Sequence, residues 1–200
     1  MNWRQTSHGC SKASTNRNRK YTVATRANES TTVIGLGNEY LSDDGLGILA
    51  VRQVASRLNG SGITFQELSI GGLELLDHIV GYTHCVIVDA IATGSCPAGT
   101  IHRFVRHPGS EAVTISSSHQ LDLTQVLTLG RILGADVPEN VTVYGIEAGD
   151  ITTFRSGPTP EVARSIPALV DVICADLQAH QPPPHHTADE WQILETHEVQ

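Results

Sequence analysis

Hydrophobic positions along this chain recur with two periods that take turns. Thr31 to Leu36 is short and β-branched and predicts a strand, after which glycines turn the chain. Leu46, Leu49, Val54 and Leu58, with Val51 and Ala55 beside them, recur at helical spacing and predict a helix through Arg57, ended by Asn59-Gly60-Ser61-Gly62. Ile63 to Leu68 alternates as a half-buried strand. Gly71-Gly72 turns the chain into a short helix, Leu73 to Val80, which Gly81 closes. His84 to Ile91 is nearly continuous in apolar residues, the mark of a strand covered on both faces. After a loop from Thr93 to Gly99, Thr100–Arg106 alternates like a strand nearer an edge. Leu121, Leu123, Val126, Leu127, Leu129, Ile132 and Leu133 then make a helix, stopped by Gly134 and Pro138. Asn140 to Ile146 reads as a strand and Thr159 to His180 as a long final helix.

Strands and helices alternating at these lengths predict an α/β fold: a three-layer α/β/α sandwich on a mostly parallel, twisted sheet of about five strands. The step from Ile91 to Thr100 is too short for a helical crossover, so one antiparallel strand is expected. Ligands of such sheets bind beyond the carboxyl ends of the strands. Asp44 and Asp89 both fall there.

At 200 residues and 40% hydrophobic, the chain suits one well-buried domain. Residues 31–180 are expected to form it, with 1–30 a disordered extension and 181–200 a polar tail opened by Gln181-Pro182-Pro183-Pro184. The net charge of -8 is unevenly spread: beyond Ser30 the chain carries seven Arg and no Lys against twenty acids. Such a body repels a phosphate backbone, so no nucleic-acid partner is expected. Cys10, Cys85, Cys96 and Cys174 are scattered, which fits a reducing compartment, and Cys85 reads as a small buried hydrophobe. No stretch approaches the roughly 18 apolar residues of a membrane span. A cytoplasmic protein with no membrane partner is expected.

The chemistry gathers at three places. An apolar run stops at Gly35-Leu36-Gly37-Asn38 and delivers Asp43 and Asp44 before a helix begins. Val86-Ile87-Val88-Asp89-Ala90-Ile91 is interrupted by one carboxylate. Ser116-Ser117-Ser118-His119-Gln120 puts a histidine at the mouth of an amphipathic segment. Two carboxylates and an imidazole suit a borderline divalent cation such as nickel or zinc, and three protein ligands leave positions open for a substrate. His119 begins a helix, where the peptide dipole disfavours imidazolium and keeps the ring able to coordinate. Asp43 is expected to cap its own turn, leaving Asp44 to point outward. A cation would relieve the repulsion between the two acids.

Gly35, Gly37, Gly45 and Gly47 invite a dinucleotide reading, but no third glycine stands at the required place. Two carboxylates at the helix entrance would also repel phosphate.

Taken together, Gly35-Leu36-Gly37-Asn38 and Asp43-Asp44-Gly45-Leu46-Gly47, then Val88-Asp89-Ala90 with Pro97-Ala98-Gly99-Thr100, then Ser118-His119-Gln120-Leu121, then Val143-Tyr144-Gly145-Ile146-Glu147 resemble the [NiFe]-hydrogenase maturation endopeptidases in order and spacing. The resemblance spans roughly Thr31 to Leu177. It implies a single-domain, aspartic-type hydrolase that removes a short C-terminal extension from the hydrogenase large-subunit precursor once nickel has been inserted. The family's three metal-binding positions fall on Asp44, Asp89 and His119, which are also the residues it implies for catalysis. The first is aspartate in some members and glutamate in others. Nickel would arrive with the precursor, zinc or cadmium could stand in for it, and a monomer is expected. Gly71-Gly72 would line the same cleft. Ala148-Gly149 stands where the family pattern has proline, so the resemblance assigns this loop no role.

Two other readings stay open on the residues alone. A non-catalytic nickel carrier or chaperone could use the same three ligands. A peptidyl-tRNA hydrolase-like enzyme also opens on Gly-Leu-Gly-Asn, but it calls for a histidine soon after that motif and a basic surface, and here both places are acidic.

Overall fold

A computed structural model of the chain describes residues 30–106, 123–179 and 192–197, the last segment as backbone alone. Its elements follow the predicted alternation: β1 (Thr31–Leu36), α1 (Leu46–Arg57), β2 (Thr64–Leu68), α2 (Leu76–Ile79), β3 (His84–Ile91), β4 (Ile101–Arg106), α3 (Leu123–Ile132), β5 (Asn140–Glu147), α4 (Pro160–Ala179) and β6 (Gln192–His197). Strand order across the sheet is β2-β1-β3-β5-β4-β6. β1 pairs parallel with β2 and β3, β3 pairs parallel with β5, and β4 runs antiparallel between β5 and β6.

Two apolar layers cover the sheet. On one face Leu46, Val51 and Val54 of α1 and Val162, Leu169 and Ile173 of α4 pack with Val33, Val88 and Ile146. On the other, Leu76 and Ile79 of α2 and Val126 and Leu127 of α3 pack with Ile34, Ile87 and Val143. The period of two along β3 explains why one strand feeds both layers: Val88 and Ala90 face α1 and α4, while Ile87 and Ile91 face α2 and α3. The three-layer sandwich is as expected.

Two expectations change. The short helix is half as regular as its pattern implies, a 3-10 turn at Gly72–Leu75 followed by a single α turn. And Gln192–His197, inside the stretch expected as a polar tail, returns to the sheet as β6 beside β4, which stands next to the edge as its alternation implies. An uncovered β4 would present a row of unpaired N–H and C=O groups, and β6 takes them up.

The glycine run around Gly35 has a steric cause rather than a nucleotide. A methyl group at Gly47 would lie 2.3 Å from the Leu36 carbonyl oxygen and 2.4 Å from that of Val88. One at Gly35 would lie 2.4 Å from the Gly47 oxygen. Backbone therefore meets backbone where α1 crosses β1 and β3, which seats the start of that helix directly over these two neighbouring strands.

Candidate active site

The strand order reverses between β1 and β3. From β1 the chain crosses by α1 to β2 on one side, whereas β3 leads to β4 and β5 on the other. The loops leaving the carboxyl ends of β1 and β3 therefore diverge, and a crevice opens between them. Asp44 stands in the 3-10 turn Ser42–Gly45 that follows β1, and Asp89 stands near the end of β3. Gly35 is register partner to Val88, so the two acid-bearing segments leave neighbouring strands at the same level.

The turn is built under constraint. Ser42 holds φ +37°, a sparsely populated conformation for a residue with a side chain. It is kept there from outside the turn: Ser42 N–H donates to the Arg155 carbonyl (2.9 Å), and Arg155 Nη2 donates to Ser42 Oγ (3.2 Å). Gly37, at φ +147°, has no room for a Cβ, which would lie 2.1 Å from the Asp44 carbonyl oxygen.

Neither of the two adjacent acids takes its expected role. Asp43 is fully buried and reaches across to the loop between β5 and α4. Its Oδ2 accepts from Gly149 N (2.8 Å), Asp150 N (2.9 Å) and Thr159 Oγ1 (3.0 Å), and its Oδ1 from Thr159 N (2.5 Å). Four donors offset its charge. Asp44 is the one that closes its own turn, its Oδ2 accepting from Asn38 N at 2.9 Å, and it is 4% exposed rather than projecting outward. The difference arises because the donors lie more than 100 residues downstream.

Asp89 is also buried, with Oδ1 accepting from Ala90 N at 2.8 Å. It occupies one row of the sheet with Gly145 of β5 and His102 of β4, all three on the α2/α3 face. Two residues beyond Gly145, Glu147 brings a further buried carboxylate to that face. Its Oε1 accepts from Gly94 N (2.7 Å) and its Oε2 from Thr93 Oγ1 (2.8 Å), while His102 Nε2 stands 3.8 Å away. Neither Glu147 nor His102 stands among the expected site residues. The available signal was a lone acid closing the apolar run from Val141 to Ile146.

His119, the third expected ligand, lies outside the described residues. The chain leaves α3 through residues 133–139 into the start of β5 at the opposite edge of the sheet, so Leu123 is the helix end nearer the carboxyl edge. Among the described residues no three His, Cys, Asp or Glu side chains gather closely enough to hold a metal. Gly71 and Gly72 open the 3-10 turn after β2, at the same edge, where Ser69 Oγ donates to the Gly37 carbonyl (2.7 Å).

Residues 51–176 match the model of the hydrogenase maturation protease family HycI. The hydrogenase 2 maturation protease of Escherichia coli K12 is 30% identical over 147 residues, which are 72% of this chain and 88% of that protein. Among solved structures, the hydrogenase maturating endopeptidase HybD from E. coli superposes with a TM-score of 0.62 at 24% identity, covering 75% of this chain and 93% of its own. The [NiFe] hydrogenase maturation protease HybD from Thermococcus kodakarensis does so at 0.56 and 24%, covering 75% and 99%. At that identity the two structures establish the fold, while the family model and the E. coli sequence establish kinship. The chain belongs to the hydrogenase maturation protease family.

Proposed function

We propose that this chain is an endopeptidase that cuts the C-terminal extension from a [NiFe]-hydrogenase large-subunit precursor after nickel insertion, reading the bound nickel as the sign of a finished substrate. One observation carries the reading: Asp44 and Asp89 flank the strand-order reversal of a maturation-protease fold, at the edge where ligands of such sheets bind. The nickel is part of the substrate. Two carboxylates, together with His119, supply the O,O,N donor set a borderline cation takes, and an apo-precursor would lack the ion that completes the contact.

Hydrolysis adds water across the scissile peptide bond. A carboxylate at this edge takes a proton from the attacking water, and the leaving amine receives one as the C–N bond breaks. Asp44 and Asp89 are the acids in place for this step. Asp43, held by four donors, is committed to architecture.

A purified assay tests the reading. Nickel-loaded precursor should be shortened by this chain and apo-precursor should not. Equal cleavage of both would remove nickel as the recognition element. Nickel transfer without any shortening would make the chain a carrier.

A further inference from the structure

We propose that Glu147 is a positioning residue for proteolysis: its buried side chain fixes the loop that follows Asp89, and the residues after it tie that loop to the turn bearing Asp44. The proposal rests on the reading of Asp44 and Asp89 as the working acids.

The side chain of Glu147 is 3% exposed and holds Thr93 and Gly94, four and five residues after Asp89, one on each carboxylate oxygen. Its backbone holds the far end of the same loop: Gly99 N donates to the Glu147 carbonyl (2.7 Å), and Glu147 N donates to the Thr100 carbonyl (2.9 Å). A single residue thus clamps residues 93–100 at both ends.

The next three residues then carry consecutive donors. Ala148 N donates to the Ile91 carbonyl (2.8 Å), and Gly149 N and Asp150 N donate to the Asp43 carboxylate. Proline at 148 could not make the first of these bonds, because it has no N–H. A side chain at 149 would also be tight, since a Cβ there would come 3.3 Å from Ala98 Cβ and 3.5 Å from Asp43 Oδ2. The Ala148-Gly149 pair is therefore the connection itself, running from the loop after Asp89, through Glu147, to Asp43 and the turn of Asp44. Both staples are carboxyl groups satisfied by amide and hydroxyl donors.

The test uses the full chain with nickel-loaded precursor. Glu147→Gln keeps the side chain's shape but turns an N–H2 donor toward one of its present donors. Thr93→Val removes two bonds, the one Thr93 Oγ1 donates to Glu147 and the one it accepts from Ser95 N, without touching β5. Each should lower kcat, by about tenfold for Glu147→Gln and less for Thr93→Val, with KM within about twofold; Glu147→Gln should also lower the urea midpoint, since its amide faces a donor, while the midpoint of Thr93→Val stays near the parent's and its kcat loss is read without that change. Adding Asp43→Asn to Glu147→Gln should cost less than the product of the two separate losses, because both cut one connection. Parent kcat in both single variants, a loss confined to KM, or fully multiplicative losses would overturn the proposal. Asp89→Asn serves as the control: if it processes precursor at the parental rate, the reading of the acids fails instead.

Discussion

Gly149 donates its backbone N–H to the Asp43 carboxylate across 2.8 Å, joining residues 106 positions apart in the chain. The bond lies at the centre of a group of four donors around a side chain with no solvent exposure, and it lashes the turn before α1 to the entry of α4.

Asp43→Asn keeps this volume but replaces one acceptor oxygen with an amine that faces donors. A buried donor left without an acceptor costs its full desolvation, and bonds to a charged acceptor contribute more than neutral ones. The variant should lose about 3 kcal/mol of stability by urea unfolding. Because Ser42 is held at positive φ by the neighbouring Arg155, the loosened turn should also become accessible to protease before the core does. A loss below about 0.5 kcal/mol, the ordinary range for surface changes, would show that the four bonds do not act as a unit.

Much of this architecture is legible in the sequence because periodicity reports burial. The spans Thr31–Leu36, Leu46–Arg57 and His84–Ile91 coincide with strand, helix and strand, since each has one apolar face or two and ends at a glycine or a polar cluster. The site is legible only as far as local order reaches. Asp44 and Asp89 lie at the carboxyl edge because strands end there. Which of two adjacent aspartates reaches across to the loop before α4 is decided by Gly149, Asp150 and Thr159, and no spacing rule connects those to position 43. Glu147 shows in the sequence as an acid closing an apolar run, but its role does not, because its partners, Thr93 and Gly94, are set by tertiary pairing. β6 was hidden because six residues beyond a proline run carry too little pattern to reveal which edge they will cover.

His84, at the start of β3, gives the fold a dependence on pH. Burial holds its imidazole below the ordinary value of 6.5, with Asp176 pulling it upward and Arg103 pushing it down. The unfolded chain binds a proton at His84 as pH falls through 6.5, while the folded chain resists until a lower pH. Over that window the unfolded state carries more protons, so stability should fall as pH drops below 6.5 and level off above it. His84→Gln removes this contribution. Urea unfolding at pH 5.5, 6.5 and 7.5 should show a shallower slope for the variant than for the parent. Parallel slopes would mean that the ring titrates equally in both states.

The proposed docking of a nickel-bearing precursor separates the three expected ligands by what else each one holds. Asp89→Asn and His119→Ala should fold normally while precursor accumulates, with processing reduced on the order of 100-fold or more. Asp44→Asn and Asp89→Asn should each also lose about 1 kcal/mol of stability while remaining folded, because these buried carboxylates accept the Asn38 N–H (2.9 Å) and the Ala90 N–H (2.8 Å). Asp44→Glu restores a carboxylate on a longer arm and should recover measurable cleavage, which Asn cannot. Processing is read by the shift in precursor mobility, and folding by circular dichroism and the urea midpoint on the same samples. If His119→Ala processes nickel-loaded precursor at the parental rate, the imidazole has no part in holding the substrate. If Asp44→Glu and Asp44→Asn are equally inactive while equally stable, position 44 requires the shorter reach of aspartate, and its carboxylate sits too close to the substrate for an added methylene.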